Sequence, residues 1–217
     1  MQKRIIIPQK VIIFKENERD AWLKEIRKEN SFKNDYRIMS SIIPFYNRKV
    51  IIEKAKERQD RYFRECYAIK KFSSNFKKGY YTHSIQLLYA KKWRKIKNPP
   101  KESFQRELFD DLHNKIYFPP EKLRAAQDRI LKSEHLIQKN INPKLPDVWL
   151  VKHYPHSLFI EVKGLSETFK KGQKEGLAII KKYLDCDIYV ARVFSENENY
   201  QKPAFEDIDI TDIYLKV

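Results

Sequence analysis

Three side chains in the second half of this 217-residue chain have the types and spacing for phosphoryl chemistry: Asp147 in Pro146-Asp147, and Glu161 and Lys163 in Glu161-Val162-Lys163. Side chains alternate faces along a strand, so Glu161 and Lys163 point one way and Val162 the other. A hairpin centred near Tyr154-Pro155 sets Asp147 opposite about Val162, and two carboxylates and an ammonium then converge at one open strand end. Two hard oxygen ligands suit Mg²⁺, with Mn²⁺ as a substitute. The ion offsets transition-state charge and acidifies a bound water, while a lysine positions the nucleophile or stabilises charge. Gly164 lets the chain leave the strand. Pro-Asp alone is an ordinary turn and Glu-x-Lys a charged strand edge, so the pattern takes its meaning from the elements around it.

Those elements are legible from hydrophobic periodicity. Val148-Trp149-Leu150-Val151 and Leu158-Phe159-Ile160-Glu161-Val162 are strand-like and predict an antiparallel hairpin. His153 and His156 fall in its turn and are assigned no ligand role. Thr168 to Leu184 predicts a helix, Ile188 to Val193 a strand, and Ile208 to Val217 a terminal strand after a polar loop. Upstream, Phe104, Leu108, Phe109, Leu112 and Ile116 have helical spacing that Pro119-Pro120 ends, and a second helix is expected from Glu121 to about Ser133. The second half therefore reads as mixed α/β.

Pro146-Asp147 followed by Glu161-Val162-Lys163 resembles the signature of the PD-(D/E)xK nuclease superfamily. Phe159-Ile160-Glu161-Val162-Lys163-Gly164, with Gln173 ten residues after Lys163 and a Tyr189-Val190-Ala191-Arg192-Val193 strand beyond, is similar to its virus-type replication-repair branch. The resemblance covers roughly residues 102 to 195 and is strongest from Pro146 to Gln173. Leu145 stands where that family usually has Gly, and Ser166-Glu167 replaces its usual segment. The resemblance implies a restriction-endonuclease-like core, a mixed central sheet flanked by helices. It also implies a metal site of Asp147, Glu161 and the main-chain carbonyl of Val162, joined by an acidic residue on an upstream helix, for which Glu107 occupies a suitable place, with Glu102 or Asp110 as alternatives. Lys163 would orient or activate water, and Gln173 would complete the site. The implied activity is Mg²⁺-dependent, structure-selective DNA cleavage in repair, recombination or phage replication. A TnsA-type or restriction-like nuclease subunit is the nearest enzyme alternative, and a catalytically silent DNA-binding assembly protein the alternative of another class.

The first half carries a different message. Residues 1 to 100 hold 26 basic and 10 acidic side chains, whereas residues 101 to 217 hold 19 of each, so the whole formal charge of +16 lies before Asn98-Pro99-Pro100. Such asymmetry points to a polyanion, because each Lys or Arg that meets a phosphate releases condensed counterions. Fifteen of the 29 aromatic residues are interleaved with those charges, and no basic helix with a Trp/Phe/Leu face stands out, which favours nucleic acid over a membrane surface. A nucleic acid is thus the expected partner, DNA by the resemblance, with RNA the alternative that charge and aromatics do not distinguish, and a homodimer or a larger DNA-processing machine as possible contexts. Lys91, Lys92, Arg94, Lys95 and Lys97 are the candidate phosphate contacts. The expected organisation is a basic, mainly helical region over 1–100 and a nuclease core over 101–217.

Residues 4 to 14 read as two short β runs broken at Pro8-Gln9-Lys10, residues 16 to 29 as a helix, Val50 to Lys71 as a basic amphipathic helix, and 72 to 82 as a loop. Within that helix Tyr62, Phe63 and Tyr67 are expected in the core. No apolar run approaches the roughly 18 residues of a membrane helix, and the start of the chain has too short an apolar stretch for a secretory signal, so a cytoplasmic location, or a nuclear one in a eukaryote, is expected. Cys66 and Cys186, with no CxxC or Cys/His cluster around them, are expected to be buried thiols.

Overall fold

A computed structural model of the chain describes residues 4–27, 63–72, 76, 78–81, 119–198 and 205–217. The described elements, numbered in chain order, are β1 (Ile6–Ile7), β2 (Gln9–Phe14), α1 (Glu16–Arg27), α2 (Phe63–Phe72), β3 (Lys78–Tyr81), α3 (Pro120–Lys132), α4 (Glu134–Gln138), β4 (Val148–Val151), β5 (Leu158–Lys163), α5 (Gln173–Ile179), β6 (Asp187–Ser195), β7 (Ile208–Asp209) and α6 (Thr211–Lys216). A π-helical turn, Ile180–Leu184, prolongs α5. Among the described residues no helix is long and apolar enough to cross a membrane.

The fold is α/β around a mixed sheet that has, among the described residues, five strands in the order β2-β6-β5-β4-β3. β3, β4 and β5 are antiparallel neighbours, while β5 pairs parallel with β6, and β6 parallel with β2. Strands from both sides of Pro99-Pro100 thus share one sheet. β1 and β7 form a separate antiparallel pair.

Strand alternation divides the interior into two cores. Val148, Leu150, Leu158, Ile160 and Val162 meet Trp22, Phe63, Cys66, Tyr67 and Ile69 of α1 and α2 on one face. Trp149, Val151 and Phe159 meet Leu123 and Ala126 of α3, Leu136 of α4, and Leu177 to Leu184 on the other. The sheet is the middle layer of three. On the first face Phe14 stands edge-on to Phe63 at 4.9 Å between ring centroids, and Trp22 meets the same ring at 5.5 Å. The Tyr67 hydroxyl donates to Glu18 at 2.7 Å, so α1 fixes the rotation of α2.

Several expectations are met. The hairpin, the helix that follows Pro119, the strand after Cys186 and both buried, free thiols are present. Phe63 and Tyr67 lie in the core. Four expectations need correction. Lys78–Tyr81, expected within a loop, forms β3, the last strand of the sheet among the described residues, because the side of Val148–Val151 away from β5 offers its backbone to it. The helix expected from Thr168 starts only at Gln173, since Gly172 adopts φ +89° and breaks the helical path. The terminal strand stops at Asp209; Asp209 Oδ1 accepts the Thr211 amide at 2.8 Å, and the chain turns into α6. The hairpin pairs Val148 with Ile160, one residue away from the expected register, so the ladder continued by one residue faces Asp147 with Glu161.

Candidate active site

The candidate site sits where β4 begins and β5 ends, the same end of the sheet because the two strands are antiparallel. Glu161 and Lys163 lie on the face turned toward α5, both almost fully buried, with Lys163 Nζ 2.7 Å from Glu161 Oε1. Gln173, in the first turn of α5, spans the pair. Its Oε1 accepts from Lys163 Nζ at 2.9 Å and its Nε2 donates to Glu161 Oε1 at 2.5 Å. The Lys170 amide also donates to Gln173 Oε1, at 2.7 Å. Each polar side chain of the triad thereby has a partner, as burial demands.

Asp147 is placed by two contacts. The Val162 amide donates to its Oδ2 at 2.9 Å. The segment leading into it is clamped against α5, where Lys144 N donates to Gly172 O at 2.8 Å. The fit depends on two glycines: a Cβ on Gly172 would lie 2.1 Å from the Asn142 carbonyl oxygen, and one on Gly176 would lie 1.7 Å from that of Lys144. The same clamp therefore holds both the helix bearing Gln173 and the turn bearing Asp147.

A third carboxylate enters from the opposite face of the sheet. Glu65 of α2, partly buried, is pushed up to about 7 from an ordinary value of 4.5, first by burial and then by the negative charge of Asp147. Burial, then Asp147, pushes Glu161 up to about 8 against the opposing pull of Lys163. Burial raises Asp147 as well, opposed by the Val162 hydrogen bond and the Lys163 charge. Acids perturbed together in this way resist simultaneous ionisation.

Among the described residues no group of three or more His, Cys, Asp and Glu side chains is assembled to hold a metal unaided. The donor set nevertheless fits Mg²⁺, which characteristically takes one or two carboxylates and completes its shell with water. Both contacts to Glu161 fall on Oε1 and the one to Asp147 on Oδ2, so each carboxylate keeps an oxygen that carries no hydrogen bond among the described residues. A divalent cation would also offset the Asp147 charge that, after burial, raises Glu65 and Glu161.

Of the residues singled out from sequence, Asp147, Glu161, Val162, Lys163 and Gln173 are brought together. Glu107 and the run Lys91, Lys92, Arg94, Lys95 and Lys97 lie outside the described residues. Glu65 was missed, although its signal was present: it flanks the Phe63, Cys66, Tyr67 stripe of a helix that packs on the opposite face of the sheet. Beside it, Arg64 reaches over Gly164 and pairs with Glu167 at 3.2 Å. Arg192 on β6 donates to the Gly164 carbonyl at 3.2 Å and holds the end of β5 in place. His153 and His156 are exposed in the hairpin turn, away from these groups.

The chain matches no protein-family model, no curated protein and no solved structure. The site must be read from its own chemistry.

Proposed function

We propose that this protein is a metal-dependent DNA endonuclease with a restriction-endonuclease-like core. The observation that carries the reading is the buried Glu161–Lys163 pair, bridged by Gln173, with Asp147 fastened beside it through the Val162 amide. A stable interior does not need a lysine and three mutually repelling acids at a strand end, and such groups concentrate where chemistry is done.

In this reading Asp147 and Glu161, with the Val162 carbonyl, would hold Mg²⁺. The ion would supply charge neutralisation and a more acidic water. Glu65, within electrostatic reach of Asp147 and Glu161, would supply a helix-borne carboxylate, while Glu107, to which the resemblance points, lies outside the described residues. Lys163, held at one distance by Glu161 and Gln173, presents an ammonium that orients the attacking water or offsets charge on the phosphate. Gln173 gives that ammonium a second acceptor beside Glu161 and so fixes its direction. The walls formed by β5 and α5 exclude bulk water and strengthen each of these interactions.

The test is cleavage of matched linear, flapped and four-way-junction DNA with Mg²⁺, Mn²⁺ or EDTA, comparing the parent with Asp147→Ala and Lys163→Ala. Metal-dependent cutting by the parent that is lost in both variants is the expected result. Salt-sensitive binding with no cutting by the parent in either metal would replace the nuclease with a DNA-binding assembly protein.

A further inference from the structure

The second half of the chain is electrically neutral in sequence, yet its fold does not distribute that neutrality evenly. The turn from Gly164 to Gly172 and the segment before Asp147, together with the first turn of α5, carry Lys144, Lys170, Lys171 and Lys174, of which the first three are exposed and the fourth half-exposed. Glycine contacts draw these segments together: Lys144 N bonds Gly172 O, and the stem of Lys144 passes 3.6 Å from where a Gly172 Cβ would lie. Phe169 ties the group to the site, because the ammonium of Lys163 lies 5.4 Å from its ring centroid and that of Lys174 5.6 Å from the same point. The Lys170 charge reaches Asp147 directly and opposes the rise of its carboxyl.

The acids nearby do not neutralise this rim. Glu167 is engaged by Arg64 at 3.2 Å, and Glu175 lines a cleft with His135 and Asp212. Among the described residues none of the four lysines has a carboxylate partner within ion-pair distance. Four such ammonium groups beside a cluster of three acids are an arrangement suited to a strand of phosphates whose scissile group must approach the acids.

We infer that Lys144, Lys170, Lys171 and Lys174 form a phosphate-binding rim that seats the DNA backbone across the mouth of the candidate site. This inference rests on the nuclease reading for the direction of the strand, and it adds DNA contacts from the neutral half of the chain to those expected of the basic half. Each lysine acts as a point charge on a flexible stem, so the rim grips backbone without reading sequence.

The experiment measures binding of the full chain to a fluorescein-labelled flapped DNA in EDTA over a salt series. It compares the parent, a variant with all four lysines changed to Gln, and one with all four changed to Arg. The Gln variant is expected to bind on the order of tenfold more weakly at moderate salt, with a slope of log Kd against log salt shallower by about 0.9 for each phosphate that is no longer neutralised. The Arg variant should keep the parental slope. Unchanged affinity and slope in the Gln variant would overturn the rim, as would equal weakening in the Gln and Arg variants, since charge would then not be the cause. Cleavage by the parent with Mg²⁺ is scored separately. A parent that cuts, alongside a Gln variant that binds normally, rejects the rim and leaves the nuclease. A parent that binds through these lysines without cutting rejects the nuclease and leaves the rim.

Discussion

The main-chain amide of Val162 donates to the carboxylate of Asp147 at 2.9 Å across the mouth of the β4–β5 hairpin. A side chain here takes a donor that a longer β4 would have paired through its backbone. Asp147 is thereby fixed in rotamer and depth, next to Glu161 and Lys163 on the neighbouring strand. The bond also favours the ionised carboxylate, in opposition to burial.

Asp147→Asn separates position from charge. An amide oxygen can still accept from Val162, so the fold should melt within a few degrees of the parent, or higher, because a buried charge has been removed. Metal-dependent cleavage should fall by at least about a hundredfold, the order expected when charge stabilisation at a reacting centre is removed. Thermal unfolding and single-turnover cleavage on one preparation check both halves; a variant that cuts at the parental rate would exclude Asp147 from the chemistry.

Stability without metal should decline as pH rises. Glu65 and Glu161 have folded-state values of about 7 and about 8 against 4.5 as ordinary values. The native state therefore retains protons that the unfolded state has released. The resulting stabilisation is complete below about 4.5 and is lost as pH climbs through 7 and 8. Melting temperatures in EDTA should drop between pH 5 and pH 8.5, and Glu65→Gln should flatten the drop. Mg²⁺ should raise the melting temperature more at pH 8 than at pH 6, because binding must displace those protons. A flat profile for the parent would show that these acids are not perturbed.

Gln173 is expected to act by positioning. Gln173→Ala removes the second acceptor of the Lys163 ammonium and leaves the Lys170 amide without its acceptor. Residues that orient a metal site typically account for about 10–100-fold in activity or affinity. A reduced cleavage rate, together with Mg²⁺ affinity altered by a similar factor in calorimetry, is the expected pair of results. A purely structural role would lower the melting temperature and leave the metal affinity alone.

Gly176→Ala and Gly164→Ala should differ sharply. The new Cβ at Gly176 meets the Lys144 backbone at 1.7 Å, whereas at Gly164 it meets the guanidinium end of Arg64, which can swing away. Backbone overpacking costs about 1–3 kcal/mol, and for a chain of this length each kcal/mol lowers Tm by about 2–4 °C. Gly176→Ala should therefore melt several degrees lower and also lose cleavage, since the same clamp carries Asp147. Gly164→Ala should melt close to the parent. Differential scanning fluorimetry of the two variants is sufficient.

Local pattern was enough to reveal the hairpin, because Val148–Val151 and Leu158–Lys163 are dense in β-branched and aromatic side chains that suit a sheet buried on both faces. Period-two alternation likewise placed Glu161 and Lys163 on one face before any pairing was known. Gln173 was legible as a helix residue near Lys163. The helix start was misplaced because nothing local announces that Gly172 takes a left-handed conformation; only the close approach of Asn142 requires it. The strand over Lys78–Tyr81 was missed for a related reason, since its pairing partner lies some seventy residues away in sequence.

The sequence by itself thus determined the α/β character, the identity of the acid–lysine pair and the direction in which its side chains point, all consequences of covalent chirality and short-range periodicity. Tertiary structure alone decided that Glu65 joins the acids from the far side of the sheet, that Asp147 rests on the Val162 amide, and that four lysines of an electrically neutral half collect at one edge. Those relations depend on which distant segments pack together. Packing answers to the shape and volume of the whole interior, which no window of sequence contains.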